Sequence, residues 1–225
     1  MSIKPEIFEK NVFINCPFDD NYKLPLLFPL IFTIKYLGFN PRLALECSDS
    51  GRSRIDILTD IIKECKYGIH DLSRLKSTKK GEYFRLNMPF ELGIDYAAKM
   101  FYKDYLDKKI LVIERDKYEY IKAISDIKGC DIKTHGNESI GIIQATRDWF
   151  AEVSNLRKVV SPEIIWEQYT EEFNLFLLEE RSKLGFNEQN YLNITINEFI
   201  FFIDDWLKLK RDEAETNKET TVKGL

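Results

Sequence analysis

Short apolar runs at residues 12–16, 67–71 and 109–114 alternate along this chain with longer stretches of helical periodicity. Each run has strand length and is bounded by Pro, Gly or charged residues, so it suits a strand covered on both faces. Two weaker runs, 42–46 and 130–134, bring the expected strands to five. The stretches between them read as helices at 23–37, 53–65, 89–101 and 138–153. In the second, Ile55, Leu58, Ile61 and Ile62 recur at helical spacing. Pro25 is tolerable in a first helical turn, whereas Pro29 should kink the first helix. Strands alternating with helices predict an α/β fold with a parallel sheet and helices on both faces. Right-handed crossovers then favour a doubly wound sheet of order 2-1-3-4-5.

The pattern changes near Val160. Residues 162–184 and 194–210 are helical in pattern, with Trp166, Phe173, Phe176, Leu177, Phe199, Phe201, Phe202 and Trp206, and no strand lies between them. The expected organisation is an α/β domain at 1–155, a C-terminal helical hairpin at 160–211, and a charged, threonine-rich, disordered tail at 212–225. A hairpin with so many large apolar groups has more than one face to cover. A homo-oligomer or a dedicated partner is therefore expected there. Trp149 and the hairpin tryptophans read as core or interface.

Charge and cysteine usage exclude several function classes. A net charge of −4 supplies no global basic field, which argues against direct nucleic-acid binding. Cys16, Cys47, Cys65 and Cys130 are scattered, and only His70 and His135 could join them. No metal site is expected. No charged-then-apolar signal opens the chain, and the longest apolar run, 24–34, is interrupted by Pro25 and Pro29. The expectation is a cytoplasmic protein with no membrane segment.

The chemistry gathers after the strand at 67–71, which ends on Asp71. A polar loop follows, and then the segment Asn87-Met88-Pro89-Phe90-Glu91-Leu92-Gly93 opens a helix. Open parallel sheets bind ligands outside the carboxyl ends of their strands. Two carboxylates meeting there suit work at an anomeric carbon, where one attacks or stabilises and the other orients. Asn15, Pro17 and Phe18 end the first strand; Ser73, Asn87 and Met88 flank the two acids; all are candidate substrate contacts. The loop with Asp49, Arg52 and Arg54 reads either as a capped turn or as a phosphate cradle. It lacks the lysine and glycine spacing of a P-loop. His70 should face away from Asp71 and serve structure, and His135 reads as a surface residue in a polar turn.

Three landmarks occur in order: Asn15-Cys16-Pro17-Phe18, His70-Asp71, and Pro89-Phe90-Glu91-Leu92-Gly93 with Tyr96-Ala97. Over residues 11–150 the chain resembles the nucleoside 2-deoxyribosyltransferases and their relatives, the TIR-like NAD glycohydrolases of bacterial immunity. The resemblance implies a flavodoxin-like domain with Glu91 as nucleophile and Asp71 as supporting acid. It also implies an N-glycosidase acting in antiviral defence. Two departures stand out. The first-strand loop is bulkier than the glycine-rich turn of many relatives. The segment between the acids is longer and carries Arg74, Lys76, Lys79, Lys80 and Arg85 against Glu82. Such charge suits phosphates, because Arg can bond two oxygens at once. A phosphate-bearing nucleotide, with NAD as substrate and no cofactor, is therefore the leading expectation, with Arg85 as the best-placed cation. The alternative is a nucleotide sensor that signals through its C-terminal helices without turnover.

Overall fold

A computed structural model of the chain describes residues 6–75, 86–187 and 193–223, with side chains through 216. Strand β1 is Asn11–Asn15, buried along its length. The chain then coils as α1, Asp20–Tyr22, widens into a π-helical stretch, Lys23–Leu27, and continues as α2, Phe28–Tyr36. Strand β2 is Asn40–Arg42, followed by α3 at Arg54–Glu64 and β3 at Tyr67–Asp71. Helix α4 is Asn87–Phe101, β4 is Lys109–Glu114, β5 is Lys133–Thr134 and α5 is Ser139–Val153. The strands form a five-stranded sheet of order β2-β1-β3-β4-β5, and every pairing is parallel. The α/β fold and the strand order are those the alternation of elements predicts.

Both edge strands are shorter than expected. After Arg42 the chain tightens into a 3₁₀ turn, Ala44–Glu46. There the Glu46 carboxylate accepts from the Leu43 amide and from Arg42 Nε, so ladder pairing stops. On the other edge only Lys133 and Thr134 pair with β4.

The prolines of the first helical segment are accommodated rather than merely tolerated. Pro29 has no N–H to offer the carbonyl four residues back, that of Pro25. Ser139 Oγ at the start of α5 donates to that carbonyl at 2.7 Å. The π-helical turns fall on the same stretch, where the regular bond is missing. The bond also ties α5 to the first helical segment, and α2 packs along α5.

On the other face, α3 packs against α4. Phe13, Ile57, Leu58, Ile61, Ile62 and Ala98 bury together there. Beneath α5, Phe39 stacks on Phe150 at 4.2 Å between ring centroids, and Tyr67 meets Trp149 edge-on at 5.8 Å. Strand alternation thus splits β3: Tyr67 faces the α2/α5 layer, and His70 faces α4, where its ring meets Asp95.

The chain divides into two compact units, residues 1–162 and 163–225. The second begins with α6, Pro162–Glu167, which passes through a π-helical stretch, Gln168–Phe173, into α7, Asn174–Lys183. Helix α8 is Ile196–Lys223. Its helical backbone thus continues past Arg211, through most of the stretch the sequence assigns to a disordered tail. Phe173 forms the centre of this unit, with its ring 5.5 Å from Phe199 and 5.9 Å from Trp206. Among the described residues no helix is long and apolar enough to cross a membrane.

Candidate functional site

Two strand ends and the opening of one helix deliver acids to the carboxyl edge of the sheet, and the structure gives each a different environment. Glu114 ends β4 and accepts from the backbone amides of Glu119 at 3.0 Å and Tyr120 at 2.5 Å. It holds the following loop. Asp71 ends β3 and is 1% exposed. One of its oxygens accepts from the Ser73 amide at 2.7 Å; the other meets Tyr22 Oη and His135 Nε2, the latter at 3.1 Å. Burial alone pushes the Asp71 carboxyl up. The bonds from His135, Ser73 and Tyr22 outweigh burial and hold it below the ordinary carboxylate range.

His135 is not a surface residue: it is 2% exposed and lies against Asp71 and Ser73. The backbone turns at Gly136 and Asn137, both with positive φ, so the ring is directed inward and not to solvent. Asn137 N–H donates to His135 Nδ1 at 2.9 Å, which leaves Nε2 as the proton-bearing nitrogen. Nε2 serves both Asp71 and Ser73 Oγ, the latter at 2.7 Å. A nucleophilic triad uses the two ring nitrogens for different partners. Here both partners share one nitrogen, so Ser73, His135 and Asp71 do not form such a triad. A sequence signal for His135 existed: it directly follows the last strand, at the edge where such sheets bind ligands.

Glu91 lies in the second turn of α4 and is 7% exposed. Among the described residues it makes no hydrogen bond or ion pair. Burial raises its carboxyl above the ordinary value, and the charge of Arg54, at the start of α3, partly opposes this. A buried carboxylate without a polar partner among the described residues, near the start of a helix at the carboxyl edge of the sheet, is a candidate to meet a ligand. No hydrogen bond joins it to Asp71. What the acids share is Cys16, whose buried thiol feels Asp71, Glu91 and Asp19 together. Burial and these three charges push the thiol well up, so it stays protonated and is no nucleophile.

The remaining candidates divide. Asn15 is buried, and its amide nitrogen donates to the Met88 carbonyl at 2.8 Å, fastening the first turn of α4 to β1. Pro17 is buried beside it, Phe18 is half-buried, and Asn87 is exposed at the first helical position. Asp49 instead caps its own turn by accepting from the Gly51 amide at 2.8 Å. Arg52 pairs with Asp60 at 2.5 Å, and Ser53 Oγ caps α3 by accepting from the Asp56 amide at 3.2 Å. The capped turn is thus the reading the geometry takes, and Arg54, exposed at the start of α3, acts on Glu91 only through its charge. Arg74 pairs with Asp19 and lies over the Tyr22 ring, 5.8 Å from its centroid. Arg85, with Lys76, Lys79 and Lys80, lies outside the described residues. Among the described residues no group of His, Cys, Asp and Glu could hold a metal ion.

Because Arg54 lowers and burial raises the Glu91 carboxyl, an exchange has a definite sign. Arg54→Gln should move the Glu91 titration to higher pH, and only modestly, since Arg54 is exposed. The shift should shrink as salt rises. Side-chain ¹³C titration of Glu91 checks this, and a shift to lower pH would contradict it.

Comparison with protein-family models gives no match for this chain, and comparison with curated proteins gives none either.

Proposed function

We propose that this protein is an N-glycosidase that cuts the bond between a ribose C1′ and a nitrogen base of a phosphate-bearing nucleotide. The observation that carries the reading is the pair of unlike acids at the sheet edge. Glu91 is buried and makes no hydrogen bond or ion pair among the described residues, and Asp71 is clamped by three donors. Work at an anomeric carbon needs one carboxylate to meet the electron-deficient centre and a second group to hold the sugar. Glu91 takes the first role and Asp71, through its fixed oxygens, the second.

The charge state of Asp71 bears on the leaving group. A carboxyl held below its usual range is a poor proton donor. A base that is cationic while glycosylated needs no proton to depart, because the bonding pair it takes neutralises it. The nicotinamide of NAD is such a base, so NAD is the substrate of first choice. Water or a second base then accepts the ribosyl group. Depletion of that nucleotide as a toxic antiviral effector is part of the same proposal, and rests on the sequence resemblance.

The test is direct. Purified protein is incubated with NAD and with a panel of nucleosides and nucleotides, and free base is measured. Release of nicotinamide from NAD supports the reading. Saturable binding with no base released from any of them would replace it with a sensor.

A further inference from the structure

A second buried network lies on the α4 face of the sheet and reaches Glu91 from behind. His70 has no exposed surface. Its Nε2 meets Asp95 Oδ2 at 3.0 Å, and its Nδ1 meets Asn15 Nδ2 at 3.0 Å. The Asn15 amide nitrogen also donates to the Met88 carbonyl, which fixes that atom as nitrogen. His70 Nδ1 is therefore an acceptor, and Nε2 donates to Asp95. Asp95 is in turn 3.0 Å from Lys108 Nζ, which donates to the carbonyls of Ile62 and Cys65 at 2.7 and 2.5 Å. Burial pushes the Asp95 carboxyl up; His70 and Lys108 outweigh it and hold it below the usual range.

The network meets α4 at two places. Met88 precedes Glu91 by three residues, and Asp95 follows it by four, so each lies about one helical turn away on the same face. One imidazole joins both places, through Asn15 on one side and directly on the other. Room for this is made by Gly68, where a Cβ would come within 2.1 Å of Asp95 Oδ2 and 3.0 Å of His70 Nε2. A fully buried acid, base and amide in one chain are costly unless every link is made. Glu91 itself makes no polar contact with the protein among the described residues, so its position comes from the backbone that carries it.

We propose that His70 is a positioning residue for Glu91, holding α4 on both sides of that carboxylate so that it stays buried at the carboxyl edge of the sheet. The inference rests on the glycosidase reading for its consequence in turnover, but its structural claim stands apart from any activity.

The experiment uses the full chain as wild type, His70→Phe and His70→Gln. Phe keeps a planar ring of similar size and loses both bonds. Gln can accept from Asn15 and donate to Asp95 with adjacent atoms of one amide. Turnover of NAD and amide hydrogen exchange are read on all three. His70→Phe is expected to lower kcat by about 10- to 100-fold with KM within about threefold, as a small misplacement of a reacting group does. Exchange at residues 88–92 should speed up while that of α3 is unchanged, and His70→Gln should recover most of both. A kcat within about twofold of wild type, or unchanged exchange at 88–92 in His70→Phe, overturns the proposal. If the wild type releases no base, the glycosidase reading fails and the exchange result alone decides the role of His70. If His70→Phe does not fold, Asn15→Leu removes the bonds of Asn15 to Met88 and to His70, leaves the bond of His70 to Asp95, and is read by the same exchange. Protection unchanged there overturns the proposal equally.

Discussion

Replacing Glu91 with Gln is expected to abolish base release while leaving the protein at least as stable as wild type. The change keeps shape and hydrogen-bonding size but removes the charge that an electron-deficient C1′ requires. Loss of a reacting carboxylate should lower kcat on the order of a thousandfold or more, with little change in ligand affinity. The stability half of the expectation follows from burial. The folded-state carboxyl of Glu91 is raised above its unfolded value, so the ionised form costs stability in the native state. That cost is fully present above the folded-state value and disappears as pH falls below the unfolded value of about 4.3. The Gln variant, which cannot ionise, should match or exceed the wild-type Tm at neutral pH and lose that advantage in acid. A Gln variant with wild-type turnover would remove Glu91 from the mechanism. One that melts far below wild type at neutral pH would show the carboxylate to be structural. A site that is stabilised by removing its own reacting group is a familiar trade of stability for function.

The two acids were legible in the sequence for a topological reason. A residue that ends a central strand, and one that opens the helix after it, must share the carboxyl edge of a parallel sheet. Central strands were equally legible, since β3 and β4 carry apolar runs that only double-sided burial explains. The extents of the edge strands were not: β2 is cut short by the local bond of Glu46 to the Leu43 amide, and only Lys133 and Thr134 of β5 pair with β4. Partners of the acids left even less trace. Tyr22 and His135 lie 49 and 64 residues from Asp71, and no periodicity encodes a contact at such separations. Asp95 was within reach of inference. It stands one turn beyond Glu91 on α4, and an acid at a core position needs a partner. His70, correctly placed on the face away from Asp71, was the candidate to supply it.

Gly141→Ala is the substitution expected to damage the fold most directly through the site. Gly141 lies in the first turn of α5, and a Cβ there would stand 2.2 Å from the His135 carbonyl oxygen, 2.9 Å from its carbon and 3.1 Å from its Cα. These are backbone atoms, so no side chain can swing away. The same carbonyl accepts from the Glu138 amide at 2.9 Å, and the next two residues hold positive φ, which leaves the turn little freedom to retreat. Overpacking of this kind costs about 1–3 kcal/mol. In a chain of this size that lowers Tm by roughly 2–4 °C for each kcal/mol. Movement of His135 also withdraws a donor from Asp71. The folded-state carboxyl of Asp71 is depressed, so its contribution is present above the unfolded value of about 3.9 and is lost as pH falls through the folded value. With the donor withdrawn, that contribution shrinks, so the gap in Tm between wild type and variant should be widest near neutral pH. In acid it should narrow to the packing cost alone. Thermal melts of both proteins from neutral pH into acid measure this. A variant that melts with wild type at every pH would show that α5 does not approach His135 so closely. A gap that stays constant with pH would show that His135 keeps its hold on Asp71 despite the strain.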